Sequence, residues 1–273
     1  MRLVDVPFDH GSARRGTGCG PDAILAAGGE RALGAGGLHV LRSTVGPDPS
    51  VDLPGTEIAR TFAVNRALAR LVREAAVAGE TPIVLAGNCN SCLGTVAGTR
   101  ENVDSVVWFD SHPDIDTPET STSGFFGGMA LAALTGACWQ ALCASVPGFR
   151  PVAPDRVTLV GTRHISAVED EAIIRTRISR VDATALDGQA DGGAGVYLHI
   201  DLDVLDPAVA PANPWAPADG LTPDELVEAV GSVCSGQHVA AAALTAYDPT
   251  GDPSAVVAAT AIRVLTVLGE ELG

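Results

Sequence analysis

Residues 105–116 read SVVWFDSHPDID: five consecutive strand-forming residues, then acid, imidazole and acid at every second position. A continuous apolar run suits a strand buried on both faces, which is the pattern of a parallel sheet. The charged tail begins where such a strand would end. In an extended segment Asp110, His112 and Asp114 would project to one side.

The same grammar recurs outward from this stretch. Apolar runs occur at RLVDV near the start, 82–86, 156–160, 196–200 and 238–244. Between them lie helical patterns. The clearest is 57–78, with apolar residues at helical spacing and Gly79 as a stop. Residues 222–235 open with Thr222-Pro223-Asp224-Glu225, which supplies an N-cap, a proline in the first turn and acids at the positive dipole end. A last helix is predicted over 253–268. Gly/Pro-rich 43–55 and 187–195 read as loops. Alternating strands and helices predict one α/β domain over 1–273, a three-layer α/β/α architecture with a mostly parallel central sheet. Ligands of such sheets bind at the carboxyl ends of the strands.

Composition narrows the function classes. The chain is 46% hydrophobic but only 4% aromatic, so Ala, Val, Leu and Ile must build its core. The net charge is −16, from 17 basic and 33 acidic residues. Such a balance repels nucleic-acid backbones and anionic membranes. No apolar run reaches membrane-spanning length, and acids come too early for a secretory leader. Six cysteines in 273 residues make no disulfide scaffold. A cytoplasmic protein with a small-molecule substrate is expected.

A second acidic constellation follows the run at 196–200: Asp201-Leu202-Asp203, then Asp206-Pro207. Isolated Asp-x-Asp pairs often only cap turns. Two of them, each behind a strongly apolar strand, point elsewhere, because buried carboxylates repel one another unless cations or protons compensate. Four carboxylates and an imidazole form a hard donor set that suits Mn²⁺ or a similar ion.

LAGNCNSCLG at 85–94 stays open on its own residues as a redox pair, a metal loop or a turn. A redox Cys-x-x-Cys normally opens a helix after the first strand of a different fold. Cys138, Cys143 and Cys234 read as small core hydrophobes. His164 follows a strand on the expected site side. His10, after the first strand, is a candidate for lining the pocket. His199 reads as structural, with its register taken to point away from the ligands. Phe125 and Phe126 would narrow the pocket, shield it from water or serve a subunit contact.

WFDSHPDIDTPETSTSG resembles the D-A-H-x-D loop of the arginase, or ureohydrolase, family, and HIDLDVLDP resembles its S-x-D-x-D-x-x-D-P motif. GTGCGPDAILAAG at 16–28 and VTLVGTRHISAVEDE at 157–171 resemble further family segments, in order along the chain. The resemblance implies an α/β/α fold and one or two Mn²⁺ ions that activate water to attack a guanidine carbon. It implies that Asp110 and Asp201 bridge the metals and that His112 and Asp203 complete one of them. Asp114 would bind the other and act catalytically as the acceptor of a hydrogen bond from the attacking oxygen. It also implies a homo-oligomer, a trimer or hexamer.

The departures are specific. With Leu93-Gly94-Thr95 setting the register, Cys89 falls on the family's G-G-D-H histidine; a gap would put Asn90 there instead. A thiolate binds hard Mn²⁺ less well than imidazole does. Gly127 replaces a proton-shuttle His, and His164 is the candidate catalytic substitute. Ala246 stands at a guanidinium-binding Glu, Ser166 at an amino-group-reading Asp and Asp116 at a carboxylate-holding Asn. Asp116, Ser123, Phe125 and Ser166 are the candidate substrate contacts. Cys at this ligand position and the TPET…GG stretch resemble the N-omega-hydroxy-L-arginine amidinohydrolases. The chemistry implied is hydrolysis of a linear C–N bond in a guanidino or hydroxyguanidino compound. The alternatives are an amide or imine hydrolase on the same fold and a non-catalytic relative that binds metal or ligand.

Overall fold

A computed structural model describes residues 1–46, 55–99, 101–186 and 195–273. Eight parallel strands form its sheet: β1 (Arg2–Val6), β2 (Leu41–Thr44), β3 (Pro82–Ala86), β4 (Ser105–Phe109), β5 (Val157–Val160), β6 (Ser179–Val181), β7 (Val196–Asp201) and β8 (Val239–Thr245). Their order is β2-β1-β3-β8-β7-β4-β5-β6. All seven pairings are parallel, so every carboxyl end lies along one edge.

Strand alternation divides the core in two. Val106 and Trp108, Tyr197, and Ala241 and Ala243 pack on one face, with α3 (Glu57–Val77), α4 (Cys92–Thr99), α5 (Ala130–Leu134) and α6 (Gln140–Cys143). Val107 and Phe109, Leu198 and Ile200, and Ala242 and Leu244 pack on the other. There they meet α1 (Gly20–Ala26), α2 (Gly29–Leu33), α8 (Pro223–Gly236) and α9 (Val256–Leu272). Three layers result, as the buried-strand pattern predicts.

Local signals locate most boundaries. Thr56 Oγ1 accepts the Ala59 N–H at the start of α3, and Gly79 follows its end at φ +74°. Thr222 and Glu225 close a capping box on α8. Helix α9 starts later than expected, because the Asp252 carboxylate collects the N–H groups of Val256, Val257 and Ala258. Residues 43 and 44, read as loop, end edge strand β2, which Arg42 and Thr44 tie to Asp5. The rest of that predicted loop from 47 to 54, and 187–194 of the other, lie outside the described residues. Among the described residues no helix is long and apolar enough to cross a membrane.

Candidate metal centre

The four middle strands, β3, β8, β7 and β4, end beneath a cavity of about 780 Å³. Asp110 directly follows β4 and Asp201 ends β7. Each carboxylate folds the chain after it: Asp110 Oδ1 accepts the His112 N–H at 2.7 Å, and Asp201 Oδ1 accepts the Asp203 N–H at 2.8 Å. Their second oxygens are held as well. Asp110 Oδ2 accepts the Trp108 Nε1–H at 3.0 Å, and Asp201 Oδ2 accepts the Cys89 thiol at 2.8 Å.

Asp203 joins the two motifs. Its Oδ1 accepts the Ser111 N–H at 3.2 Å and the Ser111 hydroxyl at 2.6 Å, and its Oδ2 lies 3.2 Å from His112 Nδ1. Asp110, His112 and Asp203 each bring one donor atom within 4.8 Å of the other two. The segment is not the extended run that alternation suggests. The turn onto Asp110 and a left-handed Asp114, at φ +48°, bend it. The Asp114 carbonyl accepts the N–H groups of Leu131 and Ala132. Its carboxylate still lines the cavity.

Burial dominates the electrostatics. It pushes the Asp110 carboxyl up to about 7, with the Asp203 charge adding to the rise. Asp201 and Asp114 are driven well up by burial and by neighbouring carboxylates. Burial and the Asp201 charge raise the Cys89 thiol. Burial opposes charging of His112, but its hydrogen bonds to Asp110 and Asp203 win and lift it to about 11. That imidazolium in turn holds Asp203 low against its own burial. Asp114 Oδ2 is buried with no hydrogen-bond partner. Crowded buried carboxylates with an unpartnered oxygen are the environment a divalent cation relieves, so the donor set fits a metal centre.

Cys89, rather than Asn90, faces the carboxylates. Asn90 turns to a small pocket beside Val6, Phe8 and Asn65, where neither amide atom has a partner. Cys92 points to the Ala130 carbonyl, and all six cysteines are free thiols. His164, Asp116, Ser123, Phe125 and Ser166 all line the cavity wall. His164 stands edge-on to His112 at 5.3 Å between ring centroids. Asp116 accepts the Thr120 hydroxyl, and Ser166 caps α7 (Ala167–Thr176) by accepting the Glu169 N–H. Phe125 sits between His10 and Trp215, at 4.8 and 5.4 Å. A Cβ on Gly127 would strike the Phe125 ring, so that ring fills the space beside the glycine.

Two expectations are corrected. Phe126 is core, packed against Phe62 and Trp139, and does not cover the pocket. His199 does not point away from the ligands. Two-residue alternation along β7 puts it on the same face as Asp201. A ring nitrogen of His199, Cys89 Sγ and an Asp110 oxygen lie within 4.8 Å of one another.

Sequence reasoning also missed three supporting residues. Ser111 binds Asp203 twice. Asn213 bridges Asp203 Oδ2 at 3.5 Å and the Ala246 carbonyl at 3.0 Å. Arg163 donates to the carbonyls of Asp203, Val204 and Leu205 and to those of Pro217 and Ala218. Only the Asp-Ser-His spacing hinted at any of these.

The family model described as Arginase family matches residues 1–269. The arginase of Bacillus caldovelox is 29% identical over 298 residues, covering 100% of this chain and 99% of that protein. The N(omega)-hydroxy-L-arginine amidinohydrolase of Streptomyces lavendulae is 38% identical over 167 residues, 57% of this chain and 58% of that protein. The crystal structure of the Bacillus subtilis arginase superposes with a TM-score of 0.86 at 27% identity, covering 100% of this chain and 98% of that one. Whole-length sequence match, parallel sheet and carboxylate centre agree: the chain belongs to the arginase family, amidinohydrolases that use a two-metal centre on carbon–nitrogen bonds other than peptide bonds.

Proposed function

We propose that the protein hydrolyses a guanidino or hydroxyguanidino group, of the kind carried by N-omega-hydroxy-L-arginine, at the centre built by Asp110, His112, Asp114, Asp201, Asp203 and Cys89. The observation that carries this reading is the convergence of four buried carboxylates and one imidazole on the floor of a single cavity, with Asp114 Oδ2 unpartnered. Divalent ions of the Mn²⁺ class, when bound there, lower the pKa of water and neutralise charge that develops on the substrate.

The chain's own groups supply the rest. Asp114 Oδ2 is free to accept a hydrogen bond from the attacking water. Trp108 and Ser111 hold Asp110 and Asp203 in orientation. His164, on the cavity wall beside His112, delivers a proton to the leaving nitrogen. Among the described residues, the cavity wall carries Glu57, Asp116 and Glu169 but no Arg. Such a wall attracts a cationic substrate end and repels a carboxylate. Phe125 and Trp215 add apolar cover and exclude water. The partial match to the Streptomyces lavendulae protein supports the hydroxyguanidino class.

The reading includes a cytoplasmic homo-oligomer, trimer or hexamer, whose size light scattering measures. The decisive assay follows release of urea or hydroxyurea from arginine, hydroxyarginine, agmatine and guanidino acids by metal-loaded protein. Turnover of at least one supports the reading; failure on all of them contradicts it.

A further inference from the structure

We propose that His199 is itself a metal ligand, and that Cys89, His199 and Asp110 form a mixed thiolate–imidazole–carboxylate position that takes a borderline ion of the Zn²⁺ or Co²⁺ class in preference to Mn²⁺. The inference rests on the reading of the carboxylate cluster as a metal centre and goes beyond it in ligand and metal. Three observations carry it.

The first is placement. Cys89 Sγ, an Asp110 oxygen and a His199 ring nitrogen form a buried cluster within 4.8 Å. It is separate from the Asp110–His112–Asp203 cluster except for the shared Asp110. Asp201 Oδ2, 2.8 Å from Cys89 Sγ, stands ready as a fourth donor. Bonds of about 2.0–2.3 Å to a tetrahedral ion separate its donors by about 3.3–3.8 Å, so three donors already within 4.8 Å of one another close on an ion with shifts of at most about 1.5 Å.

The second is the mounting of the imidazole. The His199 ring lies flat on Trp108, 3.6 Å between centroids and 13° between planes. Nδ1 is hydrogen-bonded to the Tyr197 hydroxyl at 2.9 Å. Nε2 has only the Thr245 hydroxyl, at a long 3.4 Å, and that hydroxyl is 3.5 Å from Cys89 Sγ. One nitrogen anchored by an outer partner and the other weakly engaged toward the donors is the arrangement that ligating histidines use.

The third is donor chemistry. The imidazole that the G-G-D-H pattern lacks at Cys89 is present on β7, two strands away from β3 across β8, so the position keeps one imidazole and adds sulfur to its carboxylates. Thiolate and imidazole together favour Zn²⁺ and Co²⁺ over Mn²⁺.

The test is a Co²⁺ titration of the metal-free full-length protein, followed in the near ultraviolet where thiolate-to-Co²⁺ charge transfer absorbs. The expected result is a charge-transfer band that Zn²⁺ abolishes by displacement and that Mn²⁺ leaves standing at equal concentration. In His199→Gln the midpoint should move at least tenfold to higher Co²⁺. In Tyr197→Phe it should move about 10–100-fold, the usual effect of losing an outer-shell partner. No band, equal competition by Mn²⁺, or an unmoved midpoint in His199→Gln would overturn the proposal. Should His199→Gln not fold, an unmoved midpoint in Tyr197→Phe overturns it by itself. Turnover without the band sinks the mixed site and leaves the hydrolase reading; the band without turnover does the reverse.

Discussion

Loading the metal-free protein with divalent ions should release protons, and the affinity should climb steeply with pH. Ligation requires thiolate, neutral imidazole and ionised carboxylates. In the metal-free centre, burial and crowding oppose those states. The Cys89 thiol is raised, His112 is lifted to about 11, and each therefore holds a proton near pH 7. Asp110, at about 7, holds roughly half of one, and Asp114 and Asp201 are pushed well up. Since the carboxylates share protons, full loading should displace about three to four in all. Each displaced proton makes affinity rise tenfold per pH unit, about 1.4 kcal/mol. From pH 6.5 to 7.5 the overall loading constant should therefore rise on the order of a thousandfold. Titration calorimetry in buffers of different ionisation enthalpy counts the protons directly. A count below one, or an affinity change under tenfold across that window, would refute the reasoning that the carboxylates sit buried and uncompensated.

Three further outcomes follow from the same geometry. Groups whose folded pKa is raised stabilise the fold below their unfolded value and lose that contribution as pH climbs through the folded one. For Asp110 the window is 3.8 to about 7, and for His112 it is 6.5 to about 11. His199, lowered to about 3 by burial, works oppositely but only below 6.5. Chelator-treated protein should therefore melt lower at pH 8 than at pH 6.5, a difference that metal-loaded protein does not share; equal melting of the chelated protein would contradict it. Arg163→Ala strands the carbonyls of Asp203, Val204 and Leu205 and should cost about 2–3 kcal/mol, read as a fall in thermal midpoint; an unchanged midpoint would show that the loop after β7 holds its shape without the guanidinium. Phe125→Ala removes the ring between His10 and Trp215 and should raise KM for the best guanidino substrate with little change in kcat, whereas a selective fall in kcat would place Phe125 nearer the chemistry.

The strand ends were legible because the strands are buried on both faces. The apolar run Val106–Phe109 broken by Asp-Ser-His, echoed by Asp201-Leu202-Asp203 behind a second such run, reads as buried strands meeting one edge, and Asp110, His112 and Asp203 lie together beneath the cavity. Edge strand β2 was not legible: Leu41-Arg42-Ser43-Thr44 is largely exposed and carries no apolar run. Its pairing depends on Asp5, far away in sequence. His199 was misjudged although the signal was present, since a residue two before Asp201 on a strand must share its face. Tyr197, on that face as well, made the run look like plain core. Ser111, Asn213 and Arg163 act through hydrogen bonds, most of them long-range, that no local pattern encodes.

The central claim is that the Asp110–Asp203 centre must hold metal for the protein to hydrolyse guanidino compounds. The most direct measurement compares turnover of the best substrate by protein stripped of metal, the same protein reloaded, and Asp203→Ala with its metal content determined alongside. Stripping should abolish urea or hydroxyurea release, reloading should restore it, and Asp203→Ala should lose both metal and turnover. Undiminished turnover in the stripped protein would contradict the claim.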